Sequence, residues 1–227
     1  MMTSPEEYVQ IYLEGKTADQ IMSKIRGLKR EINRLIRVLE DPNYMPMICP
    51  SEDVQLSCTR AYLEEAKRAL QEAGGTYTPT KAEEKEITLR ENIPYISKIT
   101  FSIGGFFGGY ETRTITIDED PHLHVDHSCF LWPSNLPSEA ELSLTKEELF
   151  KGLSNLHLSQ WHKRYDNINV LDGTQWALTI AFSNGFRTIH ITGSNAYPYN
   201  FQALRELLGI PDNDPDIEYV DDEDEEY

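Results

Sequence analysis

The stretch PHLHVDH, residues 121–127, holds the densest group of metal-capable side chains in the sequence. Its spacing is H-x-H-x-D-H. On an extended strand His122, His124 and Asp126 point to one face and His127 to the other. Two imidazoles two residues apart on one face can share a zinc ion, and such an ion would make this a hydrolytic site. The competing reading is a polar strand whose histidines face solvent. The preceding residues, TRTITIDEDP, alternate polar and apolar, as a half-exposed strand does.

The spacing resembles the metal-binding signature of hydrolases with the metallo-β-lactamase fold. That resemblance implies a buried apolar strand before the motif, and later another His, a bridging acid and a last His. The chain offers His157, His162 and His190, in about 100 residues that must complete a fold usually needing more, behind a long helical preamble. The polar strand is therefore adopted and no metal or other cofactor is expected. A metal-dependent hydrolase using His122, His124, Asp126 and His127 remains the alternative.

Other chemistry-bearing stretches read as structure. SIGGFFGGY (102–110) could cradle phosphate with backbone N–H groups, but it fits neither nucleotide-binding glycine pattern, and a strand follows it. A wide hairpin connection is expected, with Phe106 and Phe107 at its tip as a candidate contact surface. Cys58 lies on the apolar side of a helix, Cys129 has no base aimed at it, and no G-x-S-x-G occurs. ITGSNAYPYNF (191–201) is rich in turn and cap residues; Tyr197 and Tyr199 are expected to anchor a final helix.

The elements that would carry these residues fall into two kinds. Ser4-Pro5 opens a short helix that Gly15 closes. Thr17 and Gln20 form a capping box ahead of Ile21, Ile25, Leu28, Ile32, Leu35 and Leu39, whose alternating spacing of four and three makes a coiled-coil seam. A second helix is expected over about 52–73, ended by Gly74-Gly75, so residues 1–75 read as an antiparallel helical hairpin. Residues 76–86 read as a polar linker. From 87 to 210 the period changes to two: strands at 97–103, 110–117 and 122–131, a helix at about 146–163 opened by Thr145 and Glu148, strands at 176–182 and 187–193 around Ser183-Asn184-Gly185, and a helix at 200–209. The expected class is α+β, with an antiparallel sheet carrying helices on one face.

Charge bounds the partners. The formal net charge is −17, yet residues 211–227, PDNDPDIEYVDDEDEEY, hold ten of the acids and no Lys or Arg, leaving −7 for the body. This tail is too poor in apolar residues to fold alone. Direct binding of nucleic acid is disfavoured and a basic protein surface is attracted. Residues 16–37 run the other way, with seven Lys or Arg against Asp19 and Glu31. They read as a solvated face paired with acids of the second helix or with the tail. No apolar run is long enough to span a bilayer, no secretory signal opens the sequence, and three scattered cysteines suit a reducing cytoplasm.

Two segments, PSEDVQLSCTRAYLEEAKRALQEAGGTYTPTKAE and VLDGTQWALTIAFSNGFRTIHITGSNAYPYNFQALRELL, resemble parts of small uncharacterised bacterial and prophage proteins. Their shared core is W-x-L-x-I-x-F, a turn, then G-S-N-A-Y-P-x-N-F. The resemblance covers about a third of the chain and implies an intracellular bacterial or mobile-element setting, with no catalytic residue to carry over. The resulting expectation is a non-enzymatic acidic interaction module, of the kind that inhibits a partner by occupying its basic nucleic-acid-binding surface. Its contact residues would be Phe106, Phe107, Asp221, Asp222, Glu223, Asp224, Glu225 and Glu226. Self-association through the Ile21–Leu39 seam, giving a four-helix dimer, is a further expectation.

Overall fold

The computed structural model describes residues 3–46, 49–105, 108–128, 138–140, 144–170 and 172–210. Phe106, Phe107, Cys129 and the acidic tail, all singled out above, lie outside them.

Three helices come first: α1 (Pro5–Tyr12), α2 (Ala18–Leu39) and α3 (Glu52–Glu72). The caps are those the sequence spells out, with the Ser4/Glu7 and Thr17/Gln20 boxes both closed. Helices α2 and α3 form the expected hairpin. The α2 seam is covered within the chain: Ile21, Ile25, Ile32 and Leu35 are buried with Leu56, Leu63, Ala66 and Leu70 of α3, while Leu28 and Leu39 pack at the edge of the same cluster. Ala66 is fully buried, and its small side chain permits close helix approach. The four buried seam positions therefore have no surface left to give a second copy, because α3 takes the place a dimer partner would hold.

The stretch read as a linker contains the start of a helix, α4 (Lys81–Asn92), opened by a Thr80/Glu83 capping box. It buries Leu89 and otherwise lies on polar contacts. A short 3-10 turn (Ile93–Tyr95) leads into β1 (Ile96–Gly105), followed by β2 (Gly109–Ile117), β3 (Pro121–Ser128) and β4 (Ser138–Ala140). Then come α5 (Lys146–Asn155), β5 (Arg164–Asp166), β6 (Gln175–Phe182), β7 (Ile189–Ser194) and α6 (Phe201–Leu207). The helix expected over 146–163 stops early. His157 adopts left-handed backbone (φ 49°), a 3-10 turn occupies Leu158–Gln160, and the chain then extends into β5.

Among the described residues the sheet has seven strands in the order β4-β3-β2-β1-β6-β7-β5. Every pairing is antiparallel except β5 with β7. Alternation places Ile99, Phe101, Ile115, Ile117, Leu123, Val125, Leu178 and Ile180 on the inner face, in one apolar cluster with Leu149 and Leu153 of α5 and Leu204 of α6. The fold is α+β with helices on one face. The other face is open and polar. One rank across it runs His124, Thr114, Thr100, Thr179, His190; the next runs Asp126, Thr112, Ser102, Ala177, Thr192, Arg164.

A candidate binding cleft at the glycine-rich end of the sheet

His122, His124 and Asp126 stand on the open face opposite Thr116, Thr114 and Thr112, and all three are exposed. His127 points the other way, with Nδ1 4.0 Å from Glu111 Oε2. Among the described residues, no three His, Cys, Asp or Glu side chains converge into a metal-holding group. Across β2, His122 and His124 stand opposite threonines, which make weak ligands for zinc, and on its β4 side His124 stands in register with Glu139.

A cleft of about 500 Å³ opens where β1, β6, β7 and β5 end. Ser102, Ala177 and Thr192 form part of its floor on the open face. Tyr110 and Gln175 close one side, the Tyr110 hydroxyl donating to Gln175 Oε1 at 3.2 Å. The other side is β5 with the loop after it, where the Arg164 guanidinium is paired to Asp166. The rim carries Ile168, 87% exposed, and Val170, 41% exposed.

Turn chemistry builds these walls. At Gly173 (φ 150°) a Cβ would stand 2.1 Å from Asn195 Oδ1, and Asn195 itself is left-handed (φ 52°), its N–H donating to Thr174 O at 2.9 Å. The loop thus locks onto the G-S-N turn through its own backbone. Beneath it Gly193 faces Trp176 across the β6–β7 pair. A Cβ there would stand 2.1 Å from Trp176 Nε1, so only glycine lets the indole lie flat and donate to Ala196 O at 2.9 Å. The W-x-L-x-I-x-F and G-S-N-A-Y-P-x-N-F segments are therefore two halves of one packing unit. Tyr197 packs against Phe201 as an anchor should, the ring centroids 4.7 Å apart and the planes tilted by 40°. Tyr199 instead reaches the hairpin, its hydroxyl accepting from Arg60 Nη2 at 2.7 Å.

Two clusters outside the cleft carry catalytic residue types. On α4, Glu86 Oε1 lies 3.0 Å from His157 Nδ1, and the Ser159 hydroxyl donates to Glu86 Oε2. A carboxylate only accepts, so His157 Nδ1 carries the proton. Burial would push the Glu86 carboxyl up, but the hydrogen bonds from His157 and Ser159, with the His157 and Arg90 charges, hold it at about 2. The Ser159 proton goes to this carboxylate, which at about 2 is too weak a base to activate the oxygen. The trio clamps α4 to the 3-10 turn. At the hairpin–sheet seam, Glu40 accepts from the Tyr165 hydroxyl (3.2 Å) and the Tyr199 N–H (3.4 Å). Burial raises the Glu40 carboxyl despite these bonds, and burial raises the Tyr165 hydroxyl as well.

In the sequence nothing links the glycine-rich hairpin to the G-S-N turn. The structure brings Tyr110 of the hairpin and Gly193-Ser194 of the turn to one cleft. Arg164, Asn167, Ile168 and Val170 complete it, and no local pattern links them to either segment. The one signal available is the turn pair Asp172-Gly173, with Gly173 twenty residues before Gly193 of the G-S-N turn.

No family model matches this chain, and neither a curated protein nor a solved structure matches it.

Proposed function

We propose that this chain is a non-enzymatic interaction module that binds the basic surface of another protein, occupying a groove its partner otherwise offers to nucleic acid. The observation that carries this reading is the segregation of charge. Ten of the 38 acids fall within residues 211–227, beside no Lys or Arg, and six of them, Asp221 to Glu226, are consecutive. An extended chain presents a side chain about every 3.3–3.6 Å, close to the spacing of roughly 3.4 Å per phosphate along one strand of a duplex. Such a run satisfies a row of Lys and Arg in the manner of a nucleic-acid backbone. The cleft rim, with Ile168 and Val170, supplies uncharged contact area beside the polar open face. The point from which the tail departs is fixed by Arg113, whose Nη1 donates to Leu208 O and Gly209 O at 2.9 and 2.6 Å. A cytoplasmic, mobile-element or anti-defence setting follows from the prophage resemblance. No helix among the described residues is long and apolar enough to cross a membrane.

The test is competition. The chain is expected to displace duplex DNA from a cationic DNA-binding protein. The variant with Asp221, Asp222, Glu223, Asp224, Glu225 and Glu226 changed to their amides should do so at least about tenfold less well at low salt, the gap closing at about 0.5 M salt. Equal displacement by both chains, with the same salt dependence, refutes the reading. The hydrolase alternative keeps one feature, the shared open face of His122 and His124. Stoichiometric zinc in the purified protein, lost on His122→Ala with His124→Ala, would promote it.

A further inference from the structure

The outer side of α2 carries a charge opposite to that of the rest of the chain. At 100° per residue, Arg26, Arg30, Arg34 and Arg37 fall within about 80° of one another, on the side away from the buried Ile21, Ile25, Ile32 and Leu35. All four are exposed. None of the four makes a direct ion pair with an acid of α3 among the described residues, although Glu52 at the start of α3 adds to the field at Arg34. Arg34 is held by Glu31 of its own helix, at 2.7 Å, and Arg37 Nε donates to Asn33 O at 3.1 Å. Arg26 and Arg30 meet no carboxylate among the described residues. The Lys partners of Glu83 and Glu64 lie elsewhere, at Lys29 and Lys67. Four arginines about 16 Å apart end to end thus stand on a chain of net charge −17, with Glu31 paired to Arg34 and Glu52 acting on the same guanidinium from farther off.

The chain's own carboxylates can reach them. The described chain ends at Ile210, just past α6. The start of α6 is tied to the C-terminal end of α2, because the Tyr199 N–H donates to Glu40, the residue three after Arg37. From there α6 adds about 10 Å. The stripe therefore lies within about 40 Å of Ile210, allowing for its own length. Asp221 follows Ile210 by eleven residues, an extended reach of about 37 Å, and Glu226 by sixteen, about 54 Å.

We infer that the Arg26–Arg37 stripe of α2 is the docking site of the chain's own carboxylate run, Asp221–Glu226, which rests there until a more basic partner draws it away. The inference rests on the tail being the partner-binding element proposed above, and it adds the regulation of that element. Attraction between exposed charges is weak pair by pair, but a tethered segment acts at an effective concentration in the millimolar range. A resting contact of this kind filters partners: a weakly basic surface leaves the tail on α2, and a stronger one displaces it.

The test uses the full-length chain. Arginine Nε–Hε and backbone amide signals of residues 23–38 are compared between the wild type and the six-amide tail variant. Docking predicts differences confined to the stripe and erased by about 0.5 M salt. A spin label on Tyr227→Cys, with the three native cysteines changed to Ser, should broaden the same signals, unaltered by tenfold dilution with unlabelled chain. No difference at the stripe overturns the inference, as does a difference centred on another surface. Broadening that fades on dilution overturns it in favour of a second copy's tail. Equal shifts of the stripe by a short DNA duplex in wild type and tail variant overturn it in favour of nucleic acid. Arg26→Glu with Arg30→Glu and Arg37→Glu frees the tail and should tighten binding to the cationic protein about three- to tenfold at low salt. If the tail governs that binding but these changes leave it and the spectra unaltered, docking fails and the proposed function stands. If the spectra report docking while the tail variant binds as well as wild type, the proposed function fails and docking stands.

Discussion

Glu86→Gln removes one charge from a buried site and leaves its shape. The side chain is 15% exposed and bears on three partners: His157 Nδ1 at 3.0 Å, Arg90 Nε at 3.1 Å and the Ser159 hydroxyl. The folded carboxyl sits at about 2 against an ordinary value of 4.5. That difference corresponds to ~3 kcal/mol, as an upper figure. Because the folded value is the lower one, the unfolded chain binds the proton more readily. The stabilisation is then fully present above about pH 5 and drains away as pH falls from 4.5 toward 2. Glu86→Gln is expected to lower stability at pH 7 by about 2–3 kcal/mol, since an amide cannot accept from all three donors. The two proteins should converge as pH drops through that window. Urea unfolding at pH 7, 4 and 3, followed by the fluorescence of the buried Trp161 and Trp176, measures this directly. Stability curves that run parallel from pH 7 to 3 would refute the ion-pair account of how α4 is held.

Glu40→Gln should behave oppositely. Burial raises this carboxyl in the fold, so its ionised form opposes folding above its unfolded value and that cost vanishes as pH falls below it. Melting at pH 7 is expected to show a variant equal to the wild type or up to about 1 kcal/mol more stable. Gly193→Ala places a methyl in the Trp176 ring and should cost about 2–4 kcal/mol, with a shifted Trp emission maximum as the indole is pushed off Ala196. A double-mutant cycle on Arg60→Ala and Tyr199→Phe should return a coupling of about 0.5–1.5 kcal/mol, as their 2.7 Å bond and the guanidinium 5.3 Å from the ring centroid require; additive effects would show that the seam does not depend on that pair.

What could be read in the sequence was whatever rested on periodicity or caps. The seam of α2, the alternation of β1, β2, β6 and β7, and the boxes at Ser4, Thr17 and Thr145 all reappear, because burial of one face imposes the pattern locally. Helix α4 escaped because it has almost no apolar stripe. Leu89 is its one buried residue, and its place is held by Glu83 with Lys29, Lys67 and Tyr77, and by Glu86 with His157 and Ser159. Those partners are between 6 and 73 residues away. The Thr80/Glu83 box was nonetheless present as a signal. The break after Asn155 depends on His157 turning left-handed, which a non-glycine residue does only when its surroundings hold it there. The cleft was hidden for another reason: parallel pairing of three residues, β5 on β7, brings Arg164 and the 167–174 loop beside a hairpin some 60 residues upstream, and no local pattern encodes so short an addition.

The apolar side chains form two separate clusters, one within the three N-terminal helices and one beneath the sheet, bridged by polar groups: Glu40, Arg60, Tyr165 and Tyr199, and Glu83 of α4 with Lys29 and Lys67. Polar bridges transmit cooperativity poorly. Heating this molecule should therefore release two transitions rather than one, with a calorimetric enthalpy exceeding the van't Hoff value. Acid, which strips Glu86 of its charge, should drive them further apart.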